Sequence, residues 1–255
     1  MCFYNSMSVN TEELATRYKR KTDILEIAQA ILDEQGEGQT IDKRFLIPAY
    51  DDVHSPIITL SSSIQSMSWG LIPNWLQPKN NSEEELERVL KMEKKCKMST
   101  INARSETIFN LPSYKESIRK RRCLIPSTGY FEYRHEGRKT SPYFIYLKNE
   151  EIFSMAGIFD EWIHPVSGKT LLTFSQITVP GNEFTNTIHN GGKNPFRMPA
   201  LLQKNEEEIW LNPHLTEKEI KELLKSFEAS EMGAHPVTED FRKLDPHNPK
   251  IAEQI

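Results

Sequence analysis

Cys123-Leu124-Ile125-Pro126-Ser127-Thr128-Gly129-Tyr130-Phe131-Glu132-Tyr133 reads as strand, turn and strand: an apolar run, a Pro/Ser/Thr/Gly break, then an aromatic-rich run. Working outward, Tyr143 to Leu147, Ile152 to Phe159 and Leu171 to Val179 supply further short strands. Turn signals separate them at His135-Glu136-Gly137 and Pro165-Val166-Ser167-Gly168. Upstream, Phe45-Leu46-Ile47 before Pro48 and Ile57-Ile58-Thr59-Leu60 read the same way. Short strands spaced like this predict meanders or a barrel, not βαβ units.

Helices frame these strands. The recurrence of Leu14, Tyr18, Leu25, Ala28 and Leu32 predicts one over 11–34, capped by Asn10 or Thr11 and ended by Gly36 and Gly38. A second, over 82–97, opens with a Ser82 to Glu85 capping box and runs from acidic to basic, which complements the helix dipole without any ligand. A short helix is expected after the Ser113 to Glu116 box, ending in Arg119-Lys120-Arg121-Arg122. Those four cations are either solvated or form the densest positive patch of the chain. Towards the C-terminus, one helix carries Ile209, Trp210 and Leu211, and another runs from the Thr216 to Glu219 box to about Phe227. The last dozen residues are polar and contain proline, as a loose tail would.

With 255 residues the chain is long enough for a substantial core, and its 37% hydrophobic and 27% charged residues suit a globular protein with polar loops. A formal net charge of -4 argues against a globally basic binder, but not against a local basic groove. The opening MCFYNSMSVN lacks the pattern of a signal peptide, and no stretch approaches 18 apolar residues. Three widely spaced cysteines, Cys2, Cys96 and Cys123, are then expected to be reduced thiols in a cytosol. No cofactor motif and no Cys/His spacing suited to a metal is found, so neither a cofactor nor a metal is expected.

Cys2 follows the initiator methionine, which aminopeptidases remove when the next side chain is small. The mature chain would then start with a 1,2-aminothiol, its amine near pKa 7.7–8.0 and its thiol near about 8.5. Such a pair can condense with an aldehyde to a Schiff base and close to a thiazolidine. It can equally attack an ester or amide through sulfur. The plain alternative is an incidental cysteine in a frayed terminus.

Four further places carry polar chemistry. Trp69-Gly70-Leu71-Ile72-Pro73-Asn74-Trp75 makes a rigid aromatic turn, either a core anchor or a platform for an unstacked base. Asn102-Ala103-Arg104-Ser105-Glu106-Thr107 is polar between apolar neighbours, so its groups need partners, structural or substrate. Glu132 lies among three aromatic residues, where desolvation would raise its pKa for proton transfer, unless strand alternation turns it to water. The Gly- and Pro-punctuated loop 186–199 presents His189, Asn190, Lys193 and Arg197 together.

In order, Met1-Cys2, Trp69-Gly70-Leu71-Ile72-Pro73, Asn102 to Thr107, Gly129-Tyr130-Phe131-Glu132, Ala156-Gly157-Ile158-Phe159 and Ile188-His189 leading to Arg197-Met198-Pro199 resemble the SRAP family, the SOS response-associated peptidase or abasic-site processing proteins. The resemblance implies an α+β fold, a single domain with a barrel-like mixed or antiparallel β core flanked by helices; that domain is expected over 1–240, followed by a C-terminal tail over 241–255 that is either loose or packed on the domain. It implies a DNA-damage protein that binds single-stranded DNA and forms a thiazolidine crosslink with abasic sites through Cys2, with no membrane partner. A cytosolic monomer, associated with the nucleoid when bound to DNA, is expected. By the family pattern Asn102 positions the Cys2 amine or the sugar, Glu132 moves protons, and His189 assists opening of the deoxyribose. Arg104 and Arg197 hold phosphates, and Trp69 stacks or wedges. Two departures stand out. Phe3-Tyr4 follows the cysteine where many members have Gly-Arg, and Gly191-Gly192-Lys193 lengthens the loop before Arg197, with Lys193 offered as a replacement phosphate contact. An N-terminal-nucleophile peptidase or amidase, using the same Cys2 with His189 or Glu132 as base, is the competing expectation.

Overall fold

The computed structural model describes residues 3–25, 43–51 and 53–255. The quoted stretch is β6 (Arg122–Ser127), buried along its whole length, followed by β7 (Gly129–Glu136). A run without polar alternation suits a strand covered on both faces, and β6 lies along β9 (Phe153–Ile163) through six antiparallel pairs from Arg122↔Ile158 to Ser127↔Phe153. β7 is buried over Gly129–Glu132, opens towards solvent at its far end and turns back into β8 (Lys139–Leu147). Its two-residue turn has Gly137 at φ 60°, the positive φ that tight hairpins require.

β7 and β8 belong to an antiparallel sheet ordered β13-β8-β7-β1-β2, where β1 is Tyr4–Met7, β2 Arg44–Pro48 and β13 Met232–Pro236. The second sheet runs β12-β9-β10-β4-β3, with β3 His54–Ile57, β4 Gln65–Trp69, β10 Thr170–Pro180 and β12 Leu201–Leu202. β10 is its hub. It pairs antiparallel with β9 along residues 170–176 and parallel with β4. Its last residues carry two further short strands, β5 (Asn102–Arg104), parallel, and β11 (Arg197–Pro199), antiparallel.

The α+β class holds, but the barrel-like core does not. Among the described residues both sheets are open, ending on β13 and β2 in one and on β12 and β3 in the other. β3 is only four residues long, and beyond it the chain meets β6 through an isolated bridge, Ile58↔Leu124. A bridge without a ladder cannot close a barrel, which needs a continuous staggered register.

Three helix expectations also change. The first helix spans Thr11–Tyr18, with the Asn10–Glu13 capping box in place, and stops at Lys19, whose left-handed φ of 52° ends it. The part of that expectation beyond residue 25 lies outside the described residues. No side chain caps the short helix Ser117–Lys120, so the Ser113 box is not used. The Thr216 box does form, but its helix, Glu217–Leu223, ends short of Phe227. The basic run does not form one surface patch: Arg119 and Lys120 are exposed and pair with Glu217 and Glu116, whereas the next two turn inward. Arg122 is buried and donates to the carbonyls of Trp210 (2.8 Å), Ile118 (2.7 Å), Arg119 and Asn212, while Arg121 pairs with the buried Asp160 at 3.1 Å. A helix C-terminus draws cations to its carbonyls, and here tertiary carbonyls complete the shell.

Residues beyond β13 lie against the first sheet. Val237, Phe241 and Ile251 are buried with Tyr4, Leu46, Phe131 and Phe144, and the Phe45 N–H donates to the Pro246 carbonyl at 2.8 Å. Phe131 and Phe241 stack at 4.8 Å between ring centroids. Replacing Phe241 by Ala leaves a cavity under β1 and β7, so chemical denaturation should show a loss of about 3–5 kcal/mol in unfolding free energy.

Candidate active site

Strand alternation on β7 decides where Glu132 points. Phe131 faces the aromatic cluster with Phe241, and Glu132, its neighbour on the opposite face, is 5% exposed. His189 reaches the same place from the end of the helix Glu183–Ile188, where it is the C-cap and its N–H donates to the Thr185 carbonyl. Its Nε2 lies 3.8 Å from Glu132 Oε2. That is too long for a direct hydrogen bond and short enough for strong mutual influence.

A carbonyl fixes the imidazole. His189 Nδ1 is 2.8 Å from the main-chain oxygen of Arg197, which can only accept, so Nδ1 carries the proton and the lone pair sits on Nε2. Burial holds the ring neutral, pushing its pKa down to about 4. Burial acts in the opposite sense on Glu132, raising its carboxyl to about 7. An acid that exchanges its proton near neutrality thus stands beside a base that stays neutral there.

Arg197 is the strut behind this pair. Its guanidinium makes a bidentate bond to Glu106 (2.7 and 2.9 Å) and donates to the Thr178 carbonyl at 2.8 Å. That pairing holds the Glu106 carboxyl below its ordinary range. The fork is committed within the protein. Arg104, by contrast, has an exposed side chain whose guanidinium donates to the Asn194 side chain, and Lys193 is exposed on the same loop.

Glu132 and His189 line a pocket of about 410 Å³ together with Phe3, His135, Gly191 and Lys193. Asn102 and Trp69 do not line it. Asn102 is largely buried on β5, paired with Gln176. Trp69 is 4% exposed, stacks on Phe174 with centroids 5.7 Å apart, and donates its indole N–H to the Ile101 carbonyl at 2.9 Å. Its edge lines a second pocket, of about 330 Å³, with Tyr50, Lys94, Lys97 and Met98. The start of the chain runs between the two pockets: Phe3 lines the first, and its carbonyl accepts from the N–H of Ala49, which lines the second. Cys2 lies outside the described residues.

Two features of the pocket had no signature in the sequence. The Asn190 side chain imitates a neighbouring strand, accepting from the His135 N–H at 2.8 Å and donating to its carbonyl at 3.0 Å. A Cβ on Gly191 would come within 2.4 Å of the His135 ring, so only glycine fits there. Asn190 and Gly191 could be flagged only as loop residues, because their partner is remote in sequence. Among the described residues, no group of three or more His, Cys, Asp or Glu side chains could hold a metal ion, and no helix is long and apolar enough to cross a membrane.

The family model described as SOS response associated peptidase (SRAP) matches residues 1–244. The chain belongs to the SRAP family. It is 30% identical over 195 residues to the abasic site processing protein YoqW of Bacillus subtilis, covering 76% of this chain and 77% of that one. It is 32% identical over 196 residues to the abasic site processing protein HMCES of Gallus gallus, covering 69% of this chain and 52% of the relative. A crystal structure of a protein from Bacteroides thetaiotaomicron superposes with a TM-score of 0.86 at 43% identity, covering 100% of both chains.

In this SRAP protein the buried acid carries a measurable penalty. Because the folded-state pKa of Glu132 is raised, its contribution favours folding below the unfolded value near about 4.5 and is lost as pH rises through about 7. Glu132→Gln should therefore match the wild type in stability near pH 4.5. It should exceed the wild type by roughly 3 kcal/mol at pH 8, read from denaturation midpoints at the two pH values.

Proposed function

We propose that the protein captures abasic sites in single-stranded DNA, its N-terminal cysteine closing a thiazolidine on the ring-opened sugar. The observation that carries this reading is the Glu132–His189 pair, 3.8 Å apart at the floor of a pocket that Phe3 lines. Cys2 immediately precedes Phe3 in the chain. The other two cysteines are poor candidates. Cys96 and Cys123 are buried, and burial pushes both thiols up, away from the reactive thiolate. Relatives that carry the name abasic site processing protein support the same substrate.

The chemistry needs no redox partner. With Met1 removed, the Cys2 amine adds to the C1′ aldehyde, the carbinolamine loses water to an imine, and the thiol S–H adds across the C=N bond. One water leaves in all. His189, neutral with its Nε2 lone pair towards Glu132, is suited to take the proton of the C1′ hydroxyl as the sugar ring opens. Glu132, close to half protonated at neutral pH, is suited to protonate the departing hydroxyl and to return the proton on reversal. Asn102 would orient the amine or the sugar from β5. Arg104 and Lys193 would meet phosphates, with a loss of affinity as salt rises. Arg197, committed to Glu106, would act by holding His189 through its carbonyl.

Intact-mass measurement with a single-stranded oligonucleotide bearing one abasic site should show a one-to-one, heat-stable adduct of the Met1-processed protein. Cys2→Ala, or one extra residue ahead of Cys2, should abolish it. Glu132→Gln should slow adduct formation about 100-fold. The wild-type rate should peak between the pKa of Glu132, about 7, and that of the Cys2 amine, and fall above about 8, where ionised Glu132 has no proton to give and the amine gains no further free base. A processed, folded protein that forms no adduct but cleaves peptides or amides with multiple turnovers would replace this reading by the thiol hydrolase.

A further inference from the structure

The loop that lengthens the chain between His189 and Arg197 ends in a conformational anomaly. Phe196 has φ 59°, in the left-handed region that a bulky side chain avoids and that glycine occupies freely. The conformation is built in from both sides. The Phe196 N–H donates to the His189 carbonyl, and the Gly181 N–H donates to the Phe196 carbonyl, each at 2.8 Å. Packing covers the residue only in part, since Phe196 is 52% exposed. A single exposed aromatic residue needs no explanation. An exposed one held in a strained backbone, where glycine would serve the same hydrogen bonds, does.

Its surroundings are cationic and polar. Asn194, two residues before, accepts from the guanidinium of Arg104, and Lys193 is exposed next to it. An exposed ring near exposed cations is the pairing with which single strands are gripped, bases stacking while phosphates meet charge. A protein partner would instead call for a broad, mainly apolar contact.

We propose that Phe196 is a base-stacking residue that receives the nucleobase next to the abasic nucleotide, while Arg104 beside it meets the backbone. The assignment rests on the abasic-site reading above and adds to it a contact with the flanking base. A gap in a strand presents its neighbours unstacked on one face, and a rigid ring close to the His189 end of the pocket is placed to take one of them.

The test uses Phe196→Gly and Phe196→Trp in the full chain, with two single-stranded oligonucleotides carrying a non-reactive abasic analogue. In one the flanking nucleotides bear bases. In the other they are also abasic. Fluorescence anisotropy should show Phe196→Gly binding the base-bearing strand about tenfold more weakly than wild type, and Phe196→Trp binding it at least as well as wild type. On the base-free strand, wild type and Phe196→Gly should be equal. The thermal midpoint of Phe196→Gly should be unchanged or higher, since glycine relieves the positive φ. Equal binding of the base-bearing strand by wild type and Phe196→Gly would overturn the assignment and leave the ring to another partner. Equal losses on both strands would overturn it in favour of a structural role for the loop. Failure of the wild type to bind either strand would instead defeat the abasic-site reading, and this contact with it.

Discussion

One carbonyl near the end of β10 holds the site together. The oxygen of Thr178 accepts from the Ser105 N–H at 3.0 Å and from the Arg197 guanidinium at 2.8 Å, and Thr178 pairs with Arg104 on one side and Pro199 on the other. Two segments almost a hundred residues apart are thereby fixed to the same strand end. From there the order passes along Arg197 to its own carbonyl, and so to the tautomer of His189. The ion pair with Glu106 is the second fastening of the same side chain. A guanidinium serves here as a bracket, its planar fork holding a carboxylate and a carbonyl at once.

The electrostatics of the site follow from burial. Burial penalises the charged form of each group, so it raises the acid and lowers the base, and their proton affinities cross. In water the glutamate would be the stronger acid. In the pocket it holds a proton at a pH where the imidazole holds none beyond its Nδ1–H. Opposed shifts in neighbouring groups are a general means by which one site supplies both an acid and a base near neutrality. The arrangement weakens the fold at neutral pH, which is a common character of working sites.

The pocket is also fastened from outside. Asn190 ties the long loop to the backbone of β7, and Gly191 lets it pass over His135 without collision. On the opposite face of β7, residues 237–251 bury Phe241 and Ile251 against Tyr4 and Phe131. The short β1, only four residues long, would hold the N-terminal strand weakly by its ladder alone. Packing from the C-terminal segment places Phe3 between two pockets with some rigidity.

Most of the local signals in the sequence were reliable where the physics is local, the Ser113 box and the length of the first helix being the exceptions. β6 and β7, the Gly137 turn, the Asn10 cap, the Thr216 capping box and the helix from Glu83 depend on periodicity, φ preferences and side chains three residues apart. Ordered motifs also sufficed to identify the family, and they named Glu132 and His189 before their distance was known. The chain could not show by itself that the sheets stay open, because closure depends on whether β3 and β6 form a ladder or a single bridge. Nor could it show that Trp69 stacks on Phe174, that Arg122 is drawn inside by four carbonyls, or that Arg197 faces Glu106. Those outcomes depend on which remote backbone and side-chain groups come to surround each residue. Residue type and spacing fixed which groups were available for chemistry; the removal of water and the partners met across the sheets decided their protonation and which of them remain open to a substrate.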